Sequence, residues 1–533
     1  MIDWRGKRQN ILLGLRHIWG KHTAHNLAQI VAEVIKKYEI THKLGVFMGD
    51  NASSNDSKFI HAIREYLRID LHNSCRVRCA GHIINLIVKA IVFGKGVNKF
   101  ERQAIHASTQ DLFKLWREHG PVGKLHNFVT GILRSHKKKQ LFDGLQHELH
   151  APDDDIYHFW ALSLVKDGGV RWNATYLMLL RCLELRDAID LFYTRYRKED
   201  DEAIDLNDDK LTTDDWKEVE RLCELLEPFQ RMTLQTEGNS ERAGFEGQYG
   251  SLHETITALN YLDIKLTAAA DASKDRSEDS FYKNAILLGQ QKLNKYWDKI
   301  ILEDSPSYYA VATILHPEKR LRWLQYHWRM YKEWWKKAEN SVKAIFKEYL
   351  EAEEVAEEEE NKEEYGSPSH RKVAGGDIQS FDDFLASQDI DESFFVGEKS
   401  SRKRYRHQNE LESYLNDKAC PNGSIKDPLQ WWQTNGKVQY PLLYKMAIDF
   451  FSIPATSCEC ERVFSQSKKL ITDERNRLRP DTIEACELQK NWLLKGVIAS
   501  PIHDLIATIS RFDVNKRKAI AGITQAHLAG CLQ

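Results

Sequence analysis

Between Ala24 and Tyr38, Leu27, Ile30, Val31, Val34 and Ile35 recur three and four positions apart among polar residues. That spacing predicts one amphipathic helix. Around it the pattern changes. "NILLGL" (Asn10–Leu15) and "LGVFM" (Leu44–Met48) are short apolar runs that predict strands, the second running into the turn "GDNASSND". A helix is predicted over Ser57–Leu67, then a strand at "CRVRCA", then the apolar helix "HIINLIVKAIVFG". Strands alternating with helices predict an α/β layer with a partly parallel sheet.

From about residue 108 to 350 the periodicity is helical. In "TTDDWKEVERLCELLEPF", Thr213 or an adjacent residue is placed to cap a helix whose apolar stripe is Trp216, Val219, Leu222, Cys223 and Leu226. "RWLQYHWRMYKEWWKKAENSVKAIFKEYL" reads as another helix; its tryptophans read as packing residues, with base stacking as the alternative. Glu351–Asp377 is acidic and of low complexity. It can prolong the preceding helix, and from Gly366 to about residue 407 it reads as a disordered linker. Order is expected to return at "NELESYL" and to continue as a helical C-terminal unit. The boundaries are therefore 1–107, 108–350, 351–407, 408–500 and a tail over 501–533.

Charge adds an asymmetry. The 533 residues carry a net charge of −2, yet residues 1–150 hold 24 Lys and Arg against 12 Asp and Glu, leaving an excess of acid to the rest. A basic N-terminal third can attract phosphate backbones, or be a solvated basic surface with no partner. No apolar run approaches the roughly 20 residues of a membrane span, so no membrane partner is expected. The first residues lack the apolar core of a signal peptide, which predicts an intracellular protein. Nine scattered cysteines suit a reducing compartment better than a disulfide framework.

Three constellations could carry chemistry. Asp50 follows a predicted strand, where a carboxylate can hold Mg²⁺, or can equally be a turn or cap residue. Glu459 and Glu461 lie two positions apart, about 200° around a helix, so they face different sides and at most one points inward. Glu461 has Phe464 and Ser465 at helical spacing. Cys79 and His82, with Cys75 nearby, hint at zinc, but the fourth ligand that a structural site wants is missing, so zinc is not expected. A tie between strand end and helix start is the better reading of that pair.

Taken in order, these segments resemble the hAT superfamily of DNA transposases, in the form common in fungal genomes. "GVFMGDNASSND" is similar to the family segment holding its second catalytic aspartate, "RCAGHIINLIVKA" to its Cys-x-x-His segment, and "VRWNATYLMLLRCLELR" to its Arg-Trp segment. "DPLQWW", "YPLLYKMAIDFFSIPATS" and "CECERVFSQSKKLITDERNRLRP" resemble its C-terminal dimerisation signature. The resemblance implies an α/β ribonuclease-H-like core split by a large all-α insertion domain, with a helical C-terminal dimerisation region. It implies two aspartates and a glutamate binding two Mg²⁺ ions, DNA as partner, a homodimer or higher homo-oligomer, and a nuclear location.

By position, Asp50 matches the second aspartate and Glu461 the glutamate, both as catalytic and metal residues. Trp172 matches a tryptophan that stacks on a flipped base, with Arg171 beside it as a DNA contact. Cys79 and His82 match the pair near the active site. Phe464, Leu478, Ile483, Leu488 and Trp492 fall in the dimerisation region, where Ile483, Leu488 and Trp492 offer apolar contacts for a partner or for the protein's own core. The family's first aspartate stands in an Asp-x-Trp-Thr-Ser segment on the first core strand. Asp3-Trp4 imitates it but lacks the Thr-Ser and lies too close to Asn10–Leu15. The resemblance thus implies an incomplete acidic triad, a missing first strand and no BED zinc finger: a transposase-derived protein defective in catalysis that keeps dimerisation and DNA binding. The alternatives are an active transposase completed by an upstream exon, and a host interaction module with no DNA role.

Overall fold

The apolar spacing is realised as helix almost wherever it was read. In the computed structural model, α1 (Ala24–Lys37) starts behind Thr23, whose hydroxyl accepts from the Asn26 N–H. Then come β1 (Phe47–Gly49), α2 (Ser57–Leu67), β2 (Arg76–Arg78) and α3 (Ala80–Phe93). Helices follow at Thr109–Arg117, Gly120–Arg134 and His136–His150, then α4 (Trp172–Glu184), Arg186–Arg195, α5 (Thr213–Thr236), α6 (Glu254–Ala272), Ser280–Trp297 and Tyr308–Ile314. The chain continues through α7 (Arg320–His327), α8 (Lys332–Tyr365), Glu410–Asn416, Pro441–Ser452, α9 (Cys458–Leu470) and α10 (Pro480–Leu494). The structure describes residues 6–50, 57–94, 100, 103–104, 106–150, 161–167, 172–199, 204–238, 250–274, 280–303, 305–365, 409–470 and 478–498. The linker expected from Gly366 and the C-terminal tail lie outside them.

The chain divides into two units: residues 1–46, 52–76 and 457–533 form one, residues 47–51 and 77–456 the other. In the first unit α1 packs against α2. Small Ala28 and Ala32, rather than the larger stripe residues, sit deepest in α1, which lets the two backbones approach. From α2, Phe59, Ile60, Ile63 and Leu67 are buried against it.

The second unit is built on α3. Ile83, Ile84, Ile87, Val88 and Ile91 are all buried, so a helix this apolar is enclosed on several sides. The stripe of α5 is buried as read, and its capping residue is Thr212, not Thr213. Thr212 accepts from the Asp215 N–H while the Asp215 carboxylate accepts from the Thr212 N–H, a reciprocal capping box. The helix also runs on past Pro228 to Thr236.

Three expectations are corrected. Asn10–Leu15 is not a strand; the Leu12 and Leu15 N–H groups donate to side chains of α10. The strand expected over Leu44–Met48 is only Phe47–Gly49, half-buried rather than enclosed. With β2 it makes a two-stranded sheet, the only sheet among the described residues, so the layer is mostly helical. The long tryptophan-rich helix is two helices, α7 and α8, with a turn between them. The break lets Trp328 be 2% exposed and lie edge-on to both Trp297 and Trp334, with centroids 5.8 and 5.6 Å away. Among the described residues no helix is long and apolar enough to cross a membrane.

Candidate functional site

The sheet end and the start of α3 form a tight junction. Cys79 is the N-cap of α3 and offers no side-chain cap. Its own N–H donates to the Gly49 carbonyl at 2.9 Å, and the Ala80 N–H donates to the Ala455 carbonyl at 2.9 Å. The Tyr309 hydroxyl accepts from the Arg78 N–H at 2.6 Å and donates to the Arg78 carbonyl at 3.0 Å. Backbone groups that a longer sheet would pair are thus satisfied by a helix start, a loop and one phenol. The Cys79 side chain is 3% exposed and takes part in no disulfide; His82 is half-buried one turn on. Asp50 leaves this junction as an exposed residue directly after β1.

Trp172 begins α4 and is buried, at 4% exposure. Its N–H donates to Asn85 Oδ1 of α3 at 3.3 Å, and its ring lies 5.9 Å from that of Tyr176. With the ring inside the protein, stacking on a base requires the first turn of α4 to open. Arg171 lies outside the described residues.

Glu459 and Glu461 both occupy the first turn of α9 and both are exposed. Glu459 makes an ion pair with Arg462 one turn on. Asp50 belongs to the second unit and Glu461 to the first. Among the described residues no group of three or more His, Cys, Asp or Glu gathers to hold a metal ion. Two-metal phosphoryl transfer needs several carboxylates converging on ions about 4 Å apart. The described residues do not by themselves fit a pair of Mg²⁺ ions.

The residues expected at a dimer contact divide into two kinds. Phe464 is 60% exposed on α9 and Leu478 is 38% exposed before α10. By contrast Leu488 is buried, at 8%, and Ile483 is half-buried. Trp492 serves its own chain. Its Nε1 donates to the Leu12 carbonyl at 2.8 Å, and its ring stands edge-on to Tyr38, 6.4 Å between centroids. Asn491 Oδ1 accepts from the Leu12 N–H at 2.9 Å. Glu484 Oε1 accepts from the Leu15 N–H at 3.3 Å and meets Arg16 Nε at 3.2 Å. Of the two uses that the sequence left open to them, a partner or their own core, Leu488 and Trp492 are engaged within their own unit here. Reading the sequence missed Glu484 and Asn491 altogether. The available signal was their place at positions 484, 488, 491 and 492 of one helix face, where polar residues interrupt an apolar stripe.

In the second unit a buried polar knot fixes the helices that follow α3. The Asp209 carboxylate is fully buried and accepts from Arg117 Nε and Nη2, both at 2.8 Å. Asn127 Nδ2 donates to the same Asp209 at 2.8 Å and to the Phe113 carbonyl at 2.8 Å.

Against known proteins, the model of the hAT family C-terminal dimerisation region matches residues 410–493. Models of the ZBED1 RNase-like domain and of the ZBED1 RNase-like helical domain match residues 1–81 and 77–225. The zinc finger BED domain-containing protein DAYSLEEPER of Arabidopsis thaliana is 25% identical over 68% of this chain and 44% of its own length. The zinc finger BED domain-containing protein RICESLEEPER 2 of Oryza sativa subsp. japonica is 22% identical over 92% of this chain and 62% of its own length. A Zea mays protein named for the AC transposase is 25% identical over 92% of this chain and 53% of its own length. The chain spans about half the length of the curated relatives it matches. The chain thus carries a segment that matches the hAT family C-terminal dimerisation region, with segments similar to the ZBED1 RNase-like domains leading to it in order.

Proposed function

We propose that this chain is a transposase-derived DNA-binding protein that self-associates through its C-terminal helices and does not, by the residues present in it, cleave DNA. One observation carries the reading. In the segment matched by the dimerisation model, Phe464 and Leu478 stand exposed while Leu488 and Trp492 are engaged inside their own unit. Internal packing thus leaves Phe464 and Leu478 outward, where a second copy can cover them.

The DNA part of the reading rests on the basic N-terminal third and on the hAT relationship. We read the α/β start and α9 as parts of a ribonuclease-H-like core and the helices from 108 to 350 as its insertion, with the work done in the nucleus. Asp50 and Glu461 are the two carboxylates this sequence offers to such a core. A third carboxylate matching the family's first aspartate is not among its motifs, and without it a two-Mg²⁺ centre loses a bridging ligand and gains net positive charge. DNA binding without cleavage follows.

Sedimentation of the full chain, alone and with labelled duplex DNA, tests this. The expected result is a dimer that Phe464→Asp converts to monomer with an unchanged circular dichroism spectrum. DNA affinity should fall steeply with salt, as counterion release requires. A dimer with no DNA affinity favours a host interaction module. Mg²⁺-dependent cleavage of duplex DNA, abolished by Asp50→Asn or Glu461→Gln, would overturn the non-cleaving part.

A further inference from the structure

Where α7 ends and α8 begins, in the second unit, three large side chains of one short stretch face outward. Tyr326 is 66% exposed, Met330 82% and Tyr331 55%. Residues 329–334 line an open hollow of about 520 Å³ there. The Arg329 guanidinium at its rim lies 5.8 Å from the Tyr326 ring centroid, which joins that ring to the same surface. Trp328 of this turn is taken into the core, so the turn sorts its rings: the indole goes in and the two phenols stay out. Exposed apolar groups gathered in one place mark a contact surface more often than scattered ones do.

Tyr331 is held in place before anything binds. Its ring stacks on Trp334, with centroids 4.6 Å apart and planes 17° apart. Trp334 in turn lies 5.6 Å from Trp297, which is 2% exposed. A relay of rings therefore runs from the core to the surface. With one face on Trp334, Tyr331 offers its other face to solvent. The backbone is pinned as well: the Tyr331 N–H donates to the Trp328 carbonyl at 2.8 Å, and the Trp334 N–H to the Tyr331 carbonyl at 3.0 Å. A ring already fixed loses little freedom when a second flat group lands on it.

Charge selects the flat group. Residues 322–337 hold five Lys and Arg against one acid, Glu333. Arg322, Arg329, Lys332 and Lys336 are all exposed. Further along α8, Glu339 is paired with Lys343 at 2.7 Å. The acidic run from Glu351 starts about 29 Å from Lys332 along the helix, beyond the roughly 8 Å over which exposed charges act in physiological salt. Outward rings interleaved with cations suit a strand that carries both bases and phosphates. A duplex does not fit this chemistry, because neighbouring base pairs already cover its base faces.

We propose that the turn between α7 and α8 binds single-stranded DNA, with unpaired bases stacked on Tyr331 and Tyr326 and the phosphates held by Arg329 and Lys332. The choice of DNA over RNA rests on the DNA-binding reading above; the stacking and the charge do not. The surface is separate from Trp172, whose ring is buried.

Fluorescence anisotropy of the full chain with labelled oligo(dT), oligo(rU) and a duplex of the same length tests the assignment. Oligo(dT) should bind, and more tightly than oligo(rU). Tyr326→Ala combined with Tyr331→Ala should weaken it by about fivefold or more, the worth of one lost base stack. Tyr331→Phe keeps the ring and should keep the affinity. Arg329→Gln should flatten the log–log salt dependence by about 0.7, the share of one single-strand phosphate. All these positions are exposed, so each variant should keep the circular dichroism spectrum of the original chain. Duplex affinity should be unchanged in all of them. Oligo(dT) affinity indifferent to the two alanines, no oligo(dT) binding, tighter binding of oligo(rU), a decaproline peptide bound in place of the strand, or an equal loss of duplex affinity would each overturn the proposal. Tyrosine-dependent oligo(dT) binding by a chain that binds no duplex would support it and overturn the duplex reading alone.

Discussion

Leu12 is gripped from both sides of its peptide by neighbouring residues of α10, and this sets up a direct test. Its N–H goes to Asn491 Oδ1 at 2.9 Å and its carbonyl takes Trp492 Nε1 at 2.8 Å. The pair Asn491→Ala and Trp492→Phe removes both bonds while keeping an aromatic ring near Tyr38. Each part-buried neutral hydrogen bond is worth about 1 kcal/mol net, so opening of the segment becomes easier by about 2 kcal/mol, or roughly 30-fold in its equilibrium. The Leu15 bond to Glu484 remains, as does the Arg16–Glu484 pair. That pair is 42% exposed on its arginine side and is worth less than about 1 kcal/mol. Hydrogen exchange read on a peptide spanning residues 9–16 should show the Leu12 amide exchanging about 30-fold faster in the double variant. Exchange in the second unit should be unaltered. Equal exchange in the two proteins, or a Leu12 amide already unprotected in the original chain, would refute the claim that α10 holds this segment.

Two further outcomes are expected. Asp209→Ala removes two bonds of Arg117 and one of Asn127, while Arg117 keeps Asp208 at 3.1 Å and the Asp205 carbonyl at 3.0 Å, so denaturant unfolding should show a loss of about 1–3 kcal/mol; no measurable loss would mean the knot is dispensable. His316 is held well below its ordinary value of 6.5, first by burial and then by Lys319, so the fold prefers the neutral ring. Below about pH 6.5 the unfolded chain takes up that proton first and stability falls with pH. His316→Gln should flatten that acid limb in thermal melts between pH 7 and 5, and an unchanged slope would contradict the burial argument.

The periodic segments were legible because they answer to local rules. α2 runs over Ser57–Leu67 as its spacing predicts, α8 carries the acidic run as far as Tyr365, and a helix resumes at Glu410 as the polar–apolar pattern implies. The hAT relationship was legible as well, because motif order along a chain needs no coordinates. What sequence could not decide was where backbone and side-chain valences are satisfied. Asn10–Leu15 has a strand's composition, yet its hydrogen bonds are taken by α10, some 480 residues away in the chain. Trp492 offers from sequence a contact for a partner or for its own core, and only the tertiary fold shows which internal groups it meets. Periodicity reports which face of an element avoids water. Which other element covers that face, and which polar groups meet there, is settled by long-range packing alone.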